Sequence, residues 1–168
     1  MYIYKEGDLK LSAPDEITNV ECEDVSVEEF EEIKKLGEAM ITYCAENGGL
    51  GLAAPQVGVL KNMFVWMNGE NSFQIILNPK IFPEKKTTNV VESCLSYPKE
   101  HYFLKRFKKI RVKFNYVEKL KDGLYEMKSH SRNLYGEKSF IFQHEFHHLL
   151  GKTIATEGTL FSKDEEDG

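Results

Sequence analysis

Two histidines four residues apart, with a glutamate directly after the first, constrain this chain more than any other feature. The segment reads His144-Glu145-Phe146-His147-His148. On an α-helix, four residues bring His148 to within about 40° of His144, one turn further on, so both imidazoles can bind one cation. Such a pair with an adjacent Glu is the pattern of hydrolytic metal sites, in which the metal lowers the pKa of bound water and the carboxylate takes its proton. The segment therefore predicts a helix that carries a metal-assisted hydrolytic site.

The third metal ligand decides the class of enzyme. Metzincin proteases continue this pattern through a Gly to a third His, and the chain has Gly151 but carries Ile154 where that His would stand. A gluzincin-type protease needs an acidic ligand from a further helix, whereas the acidic residues after His148 are expected to be solvated charge. We therefore expect the third ligand upstream, where the candidates are Cys22, Cys44, Cys94, His101 and His130.

Cys94 stands out among these candidates by its surroundings. The segment from Val90 to Pro98 is short, rich in apolar and β-branched residues and ends at a proline, which predicts a strand that enters a turn. Two His and one Cys thiolate would leave the fourth position of a tetrahedral metal open for water, as catalytic sites require. A buried core cysteine is the alternative interpretation of this residue, and these residues alone leave it open.

A segment rich in small residues, from Gly49 to Gly58, contains the single amide side chain of Gln56. Its glycine spacing fits neither a Walker loop nor a dinucleotide fingerprint. One interpretation is a strand whose exposed backbone pairs with a peptide, with Gln56 donating a hydrogen bond to a developing oxyanion. The other is a turn followed by a close-packed strand, and the segment by itself favours the latter.

Taken together and in this order, the three segments resemble the peptide deformylase family. They stand here as Gly49-Leu50-Gly51-Leu52-Ala53-Ala54-Pro55-Gln56, Glu92-Ser93-Cys94-Leu95-Ser96, and Gln143-His144-Glu145-Phe146-His147-His148-Leu149-Leu150-Gly151. Two positions depart from the family pattern: Ser93 replaces a Gly and His147 replaces an Asp. The resemblance implies removal of the N-formyl group from formylmethionyl peptides of nascent proteins, with release of formate.

The resemblance also implies a role for each site residue. Cys94, His144 and His148 would hold one divalent metal ion, Fe²⁺ in the cell, with Zn²⁺ or Ni²⁺ as alternatives. Glu145 would be the general base, and Gln56 with the Leu95 backbone N–H would stabilise the oxyanion. The expected substrate contacts are Gly49, Leu50, Gly51, Val90, Glu92, His101, Phe140 and Ile141.

The two departures carry their own expectations. Ser93 is tolerated if the backbone there is in an ordinary β conformation, because only Gly adopts positive φ without cost. The family's Asp is a supporting acidic group, anchored by an Arg that corresponds to Arg106. His147 can form a hydrogen bond there but does not supply the same charge. His147 also lies three residues from His144 and rivals His148 as a ligand, but His148 completes the motif.

The pattern of elements predicts an α+β fold. A capping box at Ser26 should begin a helix whose apolar face continues to Cys44 and ends at Asn47. Strands are predicted at 63–67, at 73–77, from Ile110 to Tyr116 and, after a turn at 121–123, at 124–128. A helix from about 137 to 150, ended by Gly151, should carry the His pair across antiparallel or mixed sheets.

Length and charge agree with one catalytic domain over residues 1–168, with a flexible acidic tail from about residue 162. The net charge of −5 argues against a nucleic-acid partner, and the basic run at 105–111 should be the solvated face of a strand. With no secretory or membrane-spanning pattern, we expect a cytoplasmic monomer, in the host cytoplasm if the chain is phage-encoded. Docking at the ribosome through a C-terminal helix is not expected. A zinc endopeptidase and a non-catalytic peptide-binding or metal-binding protein are the alternatives.

Overall fold

The computed structural model describes residues 9–68 and 72–165. Three α-helices are present there: α1 (Phe30–Glu46), α2 (Gly136–Leu149) and α3 (Ile154–Glu157). The strands are β1 (Gly51–Ala53), β2 (Met63–Met67), β3 (Phe73–Pro83), β4 (Thr87–Cys94), β5 (Tyr97–Phe107), β6 (Lys109–Lys119), β7 (Tyr125–Tyr135) and β8 (Thr159–Lys163). The first residues of the chain, where we predict no secretory signal, and the last three acidic-tail residues lie outside the described part.

Helix α1 follows the predicted apolar pattern. The Glu29 carboxylate accepts a hydrogen bond from the backbone N–H of Ser26 (3.1 Å), as one half of a capping box does. The buried face is formed by Ile33, Leu36, Gly37, Met40 and Cys44, spaced by three or four residues as a helix packed on one side requires. Beyond Asn47 the chain turns at Gly48, whose φ of +68° favours glycine. The helix thus delivers the chain to β1.

The larger sheet has the strand order β1-β2-β3-β6-β7, and its pairs are antiparallel. Strand β6 alternates as predicted, with Ile110, Val112 and Phe114 buried. The turn predicted at 121–123 is present, with Gly123 at a φ of +85°. Strands β3 and β7 run six or more residues further than predicted, because long antiparallel pairing with β6 continues where the sequence shows little alternation. In this order β1 is an edge strand.

The smaller sheet has the order β4-β5-β8 and is also antiparallel. Strands β4 and β5 form a hairpin in which Cys94 pairs with Tyr97, so Leu95 and Ser96 are the two turn residues. Strand β8 includes Ser162 and Lys163, and the Asp164 N–H donates to the Lys99 carbonyl (2.7 Å). The flexible tail is predicted from about residue 162, and the backbone of β5 provides hydrogen bonds to its first residues.

Helix α2 packs against β1 and β2 of the larger sheet and against β5 of the smaller one. The ring of Phe142 meets Phe64 and Trp66 edge-on, with centroids 4.9 and 5.3 Å away. The Gln143 side chain accepts from the Phe107 N–H (3.0 Å) and donates to its carbonyl (2.9 Å), which ties the helix to the end of β5. The predicted α+β fold around a central helix is confirmed. None of the helices described is long and apolar enough to cross a membrane.

Candidate metal centre and active site

Cys94, His144 and His148 converge at one point between the two sheets. Helix α2 sets the two imidazoles one turn apart, with their Nε2 atoms 3.3 Å from each other. The Cys94 Sγ, at the end of β4, lies 3.5 Å from His148 Nε2. One ligand atom from each residue lies within 4.8 Å of the others, and no second group of this kind occurs among residues 9–68 and 72–165. Cys22, Cys44, His101 and His130, the other upstream candidates, are not part of it.

The donor atoms are arranged as ligands of a cation should be. The Nδ1–H of His144 faces Glu92 Oε1 at 2.8 Å, which leaves Nε2 with its lone pair toward Cys94 and His148. That hydrogen orientation is assigned from the carboxylate, which can only accept. Two imidazoles and a thiolate are a donor set that suits Zn²⁺, Fe²⁺, Co²⁺ or Ni²⁺ and leaves room for a further ligand. The residues present therefore fit a divalent metal ion.

The electrostatics of the imidazole pair lead to the same conclusion. Burial lowers the pKa of His148 well below its ordinary value, and the positive charges of His144 and Arg106 lower it further. Burial also opposes a proton on His144, but Cys94 and Glu92 raise the pKa of His144 well above its ordinary value. The lowered pKa leaves His148 neutral, which is the form in which an imidazole binds a metal. A metal ion at this centre would take the place of the proton on His144.

Glu145 lies beside the cluster and is 2% exposed. Its Oε1 is 3.7 Å from His144 Nε2, and its Oε2 has no hydrogen-bond partner among the described residues. Burial raises the pKa of Glu145 to about 7, although the charge of His144 opposes the shift. A carboxyl with this pKa can both accept and return a proton near neutrality.

Gly51 in β1 is what lets the backbone approach Glu145 so closely. A Cβ at this position would lie 2.8 Å from Glu145 Cγ and 2.9 Å from its Cδ, well inside van der Waals contact. The segment rich in small residues is therefore a close-packed strand beside the carboxylate. The strand also lies at the edge of the larger sheet, which the peptide-pairing interpretation of this segment requires.

Gln56 lies in the single-turn 3₁₀-helix Ala54–Val57 that follows β1, and it is buried. Its Oε1 accepts from the Ala53 N–H (2.9 Å), and its Nε2 donates to Ser96 Oγ (2.9 Å) and faces Cys94 Sγ at 3.5 Å. The amide is thus fixed beside the cluster. Ser96 was missed as a site residue in the sequence, although it is part of the cysteine motif; its contact with Gln56 spans 40 residues.

The expected substrate contacts are distributed unevenly. Gly49 and Leu50 directly precede β1, and the Leu50 side chain is 49% exposed. Three further apolar residues are half-buried: Val90 on β4, and Phe140 and Ile141 on α2. His101 instead pairs with Asp164 (2.9 Å) and alternates on β5 with the buried residues Tyr102 and Leu104, so it lies outside the cluster.

The carboxylate of Glu92 lies between Arg106 and His144. Both of its carboxylate oxygens are engaged, because Arg106 Nε and Nη2 donate to them at 2.9 Å and His144 shares Oε1. Burial alone would raise its pKa, but the hydrogen bonds from Arg106 and His144 lower the pKa of Glu92 to about 2. Glu92 is therefore a charged support of the His144 imidazole, and its contact with substrate stays a prediction.

The two departures from the family pattern are both accommodated. Ser93 lies within β4, and its φ is not positive, so the side chain causes no backbone strain. His147 Nδ1 is 2.9 Å from Nη1 of Arg106, the Arg expected beside it, and 2.6 Å from Glu157 Oε1. Glu157 was not expected from the sequence. Ile154, where a metzincin would carry its third His, is buried in the core with Tyr102 and Leu104.

Comparison with known proteins agrees with this site. The sequence model of the polypeptide deformylase family matches residues 11–162. The peptide deformylase of Thermotoga maritima is 38% identical over 74% of this chain and 71% of its own length. Its crystal structure covers 89% of this chain and 96% of that one, with a TM-score of 0.74 and 32% identity. The crystal structure of a probable peptide deformylase from the Synechococcus phage S-SSM7 covers 88% and 97%, with a TM-score of 0.72 and 30% identity. The chain therefore belongs to the peptide deformylase family.

Proposed function

We propose that this chain hydrolyses the N-formyl group of formylmethionyl peptides and that Glu145 moves the protons of the reaction. The observation that carries the assignment of Glu145 is its position: a buried carboxyl with a pKa of about 7 lies beside the Cys94, His144 and His148 cluster. Formate and a free amino terminus are the products. The family membership supports the reaction, and the geometry of the site supports the roles of the residues.

Cys94, His144 and His148 would hold the metal ion. A divalent cation bound by them supplies a Lewis acid that lowers the pKa of water and polarises the formyl oxygen. We propose Fe²⁺ as the ion used in the cell, with Zn²⁺ or Ni²⁺ as substitutes, since two imidazoles and a thiolate suit all three. Glu92 keeps His144 in the tautomer that presents Nε2 to this centre.

Glu145 takes a proton from the attacking water and returns it to the leaving amine. The first transfer needs the carboxylate and the second needs the carboxylic acid, so a pKa near neutrality serves both steps. Burial causes this pKa, and Gly51 packs tightly against the side chain. The unpartnered Oε2 is free to contact the water.

Gln56 and the Leu95 backbone N–H stabilise the oxyanion that forms at the formyl carbon. Gln56 is prepared for this role because Ala53 and Ser96 fix its amide, while the remaining N–H points toward Cys94 with a long 3.5 Å contact. Leu95 is the first residue of the tight turn after Cys94. Fixed donors need no reorganisation during the reaction, which is why such groups are worth several kcal/mol of barrier in other hydrolases, on the order of 3–4.

The peptide would lie along β1 as an added strand. This strand is at the edge of the larger sheet and pairs only with β2 among the described strands, so its outer backbone groups are suited to a peptide partner. Leu50, Val90, Phe140 and Ile141 supply apolar surface for the methionine side chain. Nascent chains in the cytoplasm are the substrates we expect, and a monomer is sufficient because the described cluster is complete within one chain.

Release of formate from formyl-Met-Ala-Ser tests the proposal. The full chain is loaded anaerobically with Fe²⁺, or with Ni²⁺, and formate is measured beside the matched variants Glu145→Gln and Glu118→Gln. We expect kcat/KM of Glu145→Gln to fall by 10²–10⁴-fold with the metal still bound, and Glu118→Gln, which removes only a surface pair with Lys128, to keep wild-type activity. The absence of formate from metal-replete wild-type protein would refute the reaction, and full activity of Glu145→Gln would refute its role.

A further inference from the structure

Arg106 connects the metal centre to a second carboxylate that the reaction itself does not use. Arg106 is only 2% exposed and holds both oxygens of Glu92 at 2.9 Å. One of those oxygens also orients His144. The position of the His144 ring therefore depends on where Arg106 is held, and a buried guanidinium is stable only if its charge is compensated.

The other end of the guanidinium meets His147 and Glu157. Arg106 Nη1 is 2.9 Å from His147 Nδ1 and 3.8 Å from Glu157 Oε1, and His147 Nδ1 is 2.6 Å from the same carboxylate oxygen. Nδ1 of His147 thus lies between Arg106, which can only donate, and the Glu157 carboxylate, which accepts. The shorter contact assigns the Nδ1 hydrogen to a bond with Glu157. Because that nitrogen then carries a hydrogen, it does not also accept from Arg106 Nη1. Glu157 therefore acts on Arg106 directly, by supplying negative charge 3.8 Å from the guanidinium, and it holds the His147 ring in place.

Glu157 is held firmly although a loop separates it from α2. It ends α3, whose first turn is capped by the Thr153 side chain, and Tyr97 contacts the same hydroxyl at 3.0 Å. The loop between α2 and α3 packs at Gly151, where a Cβ would lie 2.6 Å from the Val20 nitrogen. The Glu157 side chain is 24% exposed, so its charge is screened only in part.

We propose that Glu157 is a positioning residue of the metal centre: its charge beside the Arg106 guanidinium holds Arg106, and through Arg106 also Glu92 and His144, in the orientation that binds the cation. The inference rests on the proposed metal site and adds a residue to it. Such supporting carboxylates typically change metal affinity by 10- to 100-fold when they are removed.

The structure predicts which second substitution should compensate for the loss of Glu157. In an Asp side chain, Oδ1 is bonded to Cγ as Nδ1 is in His, so His147→Asp would place a carboxylate oxygen against Arg106 Nη1. The same oxygen would face Glu157 at close to the 2.6 Å that now separates Nδ1 and Oε1, and two carboxylates at that distance repel each other. His147→Asp should therefore be harmful with Glu157 present and beneficial with Gln at position 157.

The test is the affinity of the full chain for Co²⁺, measured by competition with a chelator and by the thiolate absorption band of the Co²⁺ protein. We expect Glu157→Gln and His147→Asp each to weaken binding about tenfold, and the double variant to return to within about threefold of wild type. The matched control is Glu118→Gln, which removes a surface carboxylate paired with Lys128 away from the site. Formate release is measured in parallel.

The outcomes separate this inference from the proposed function. Glu157→Gln that binds Co²⁺ as tightly as Glu118→Gln, or a double variant no better than Glu157→Gln, would overturn the positioning role even if all proteins release formate. Wild-type protein that binds Co²⁺ tightly but releases no formate would overturn the proposed reaction. The Co²⁺ affinities of the variants would then still decide the positioning role of Glu157. Denaturant unfolding of the metal-free proteins provides a second measurement, in which the double variant should again exceed both single variants in midpoint.

Discussion

Gly51→Ala should inactivate the site without removing any functional group. Gly51 is in β1 and its φ is not positive, so an alanine there meets no backbone strain. The new Cβ would instead lie 2.8 Å from Glu145 Cγ, 2.9 Å from Cδ and 3.0 Å from Oε2. Because carbon atoms pack at about 3.5–4.0 Å, the Glu145 side chain must move by roughly 1 Å.

The magnitude follows from the burial of Glu145. A surface side chain would swing aside at little cost, but Glu145 is 2% exposed, so its carboxylate is displaced from the position next to His144. A displacement of about 1 Å at a reacting group costs on the order of 10²-fold in rate, or about 2.7 kcal/mol of barrier. Overpacking should also lower the free energy of unfolding by roughly 1–3 kcal/mol.

The assay compares kcat/KM for formyl-Met-Ala-Ser, metal content and the unfolding midpoint. Gly123→Ala is the matched control, because its φ of +85° makes the same substitution costly for the backbone while nothing lies within 4 Å of the added carbon. That variant should lose stability but keep full activity. Metal content should be unchanged in both, since neither touches the cluster. Gly51→Ala with more than a third of wild-type kcat/KM would refute the argument that this strand positions Glu145.

Three further outcomes are expected. Gln56→Ala should reduce kcat about 10²-fold with little change in KM, as loss of an oxyanion donor does; an unchanged kcat would remove Gln56 from the mechanism. In the metal-free protein, the pKa of Glu92 is about 2 against an ordinary 4.5, so its stabilisation is complete above pH 5 and is lost as the pH falls toward 2. The loss amounts to roughly 3 kcal/mol of unfolding free energy. When that free energy is measured against pH, Glu92→Gln should lack the loss; a Glu92→Gln profile parallel to that of wild type would contradict the prediction. Removal of the metal by a chelator should lower Tm by roughly 5–10 °C when the metal stands at about 100 times its Kd, whereas Cys94→Ala should show no such shift.

The metal-binding helix and the order of the three motifs could be predicted because each is a local pattern. The spacing of His144 and His148 has one consequence on a helix, and the segment around Cys94 distinguishes it from the other candidate ligands. The capping box at Ser26, the alternation of β6 and the turn at Gly123 are likewise decided within a few residues. The helix, the alternation of β6 and the turn match the structure, and the Glu29 half of the capping box is present.

What the sequence did not reveal depends on contacts between residues far apart along the chain. A flexible tail was predicted from about residue 162, and the structure pairs Ser162 and Lys163 with β5, a partner that is not apparent from the tail's own sequence. The contacts of Glu92 were likewise not apparent, because they depend on the β4–β5 register, which places it opposite Tyr102, and on Arg106, which donates to both of its oxygens.

The chain alone therefore specified the chemistry: a helix with two imidazoles and a carboxylate, a thiolate upstream, and the family in which these occur together. The metal-binding chemistry of a side chain and the helical repeat depend on a few neighbouring residues, so both can be predicted from the sequence. Tertiary structure decided how that chemistry is supported, through the contact of Gln56 with Ser96, 40 residues apart, and of Arg106 with His147, 41 residues apart. Only strand register and the packing of α2 between two sheets bring such groups together, and Glu157 near His147 became visible by the same means.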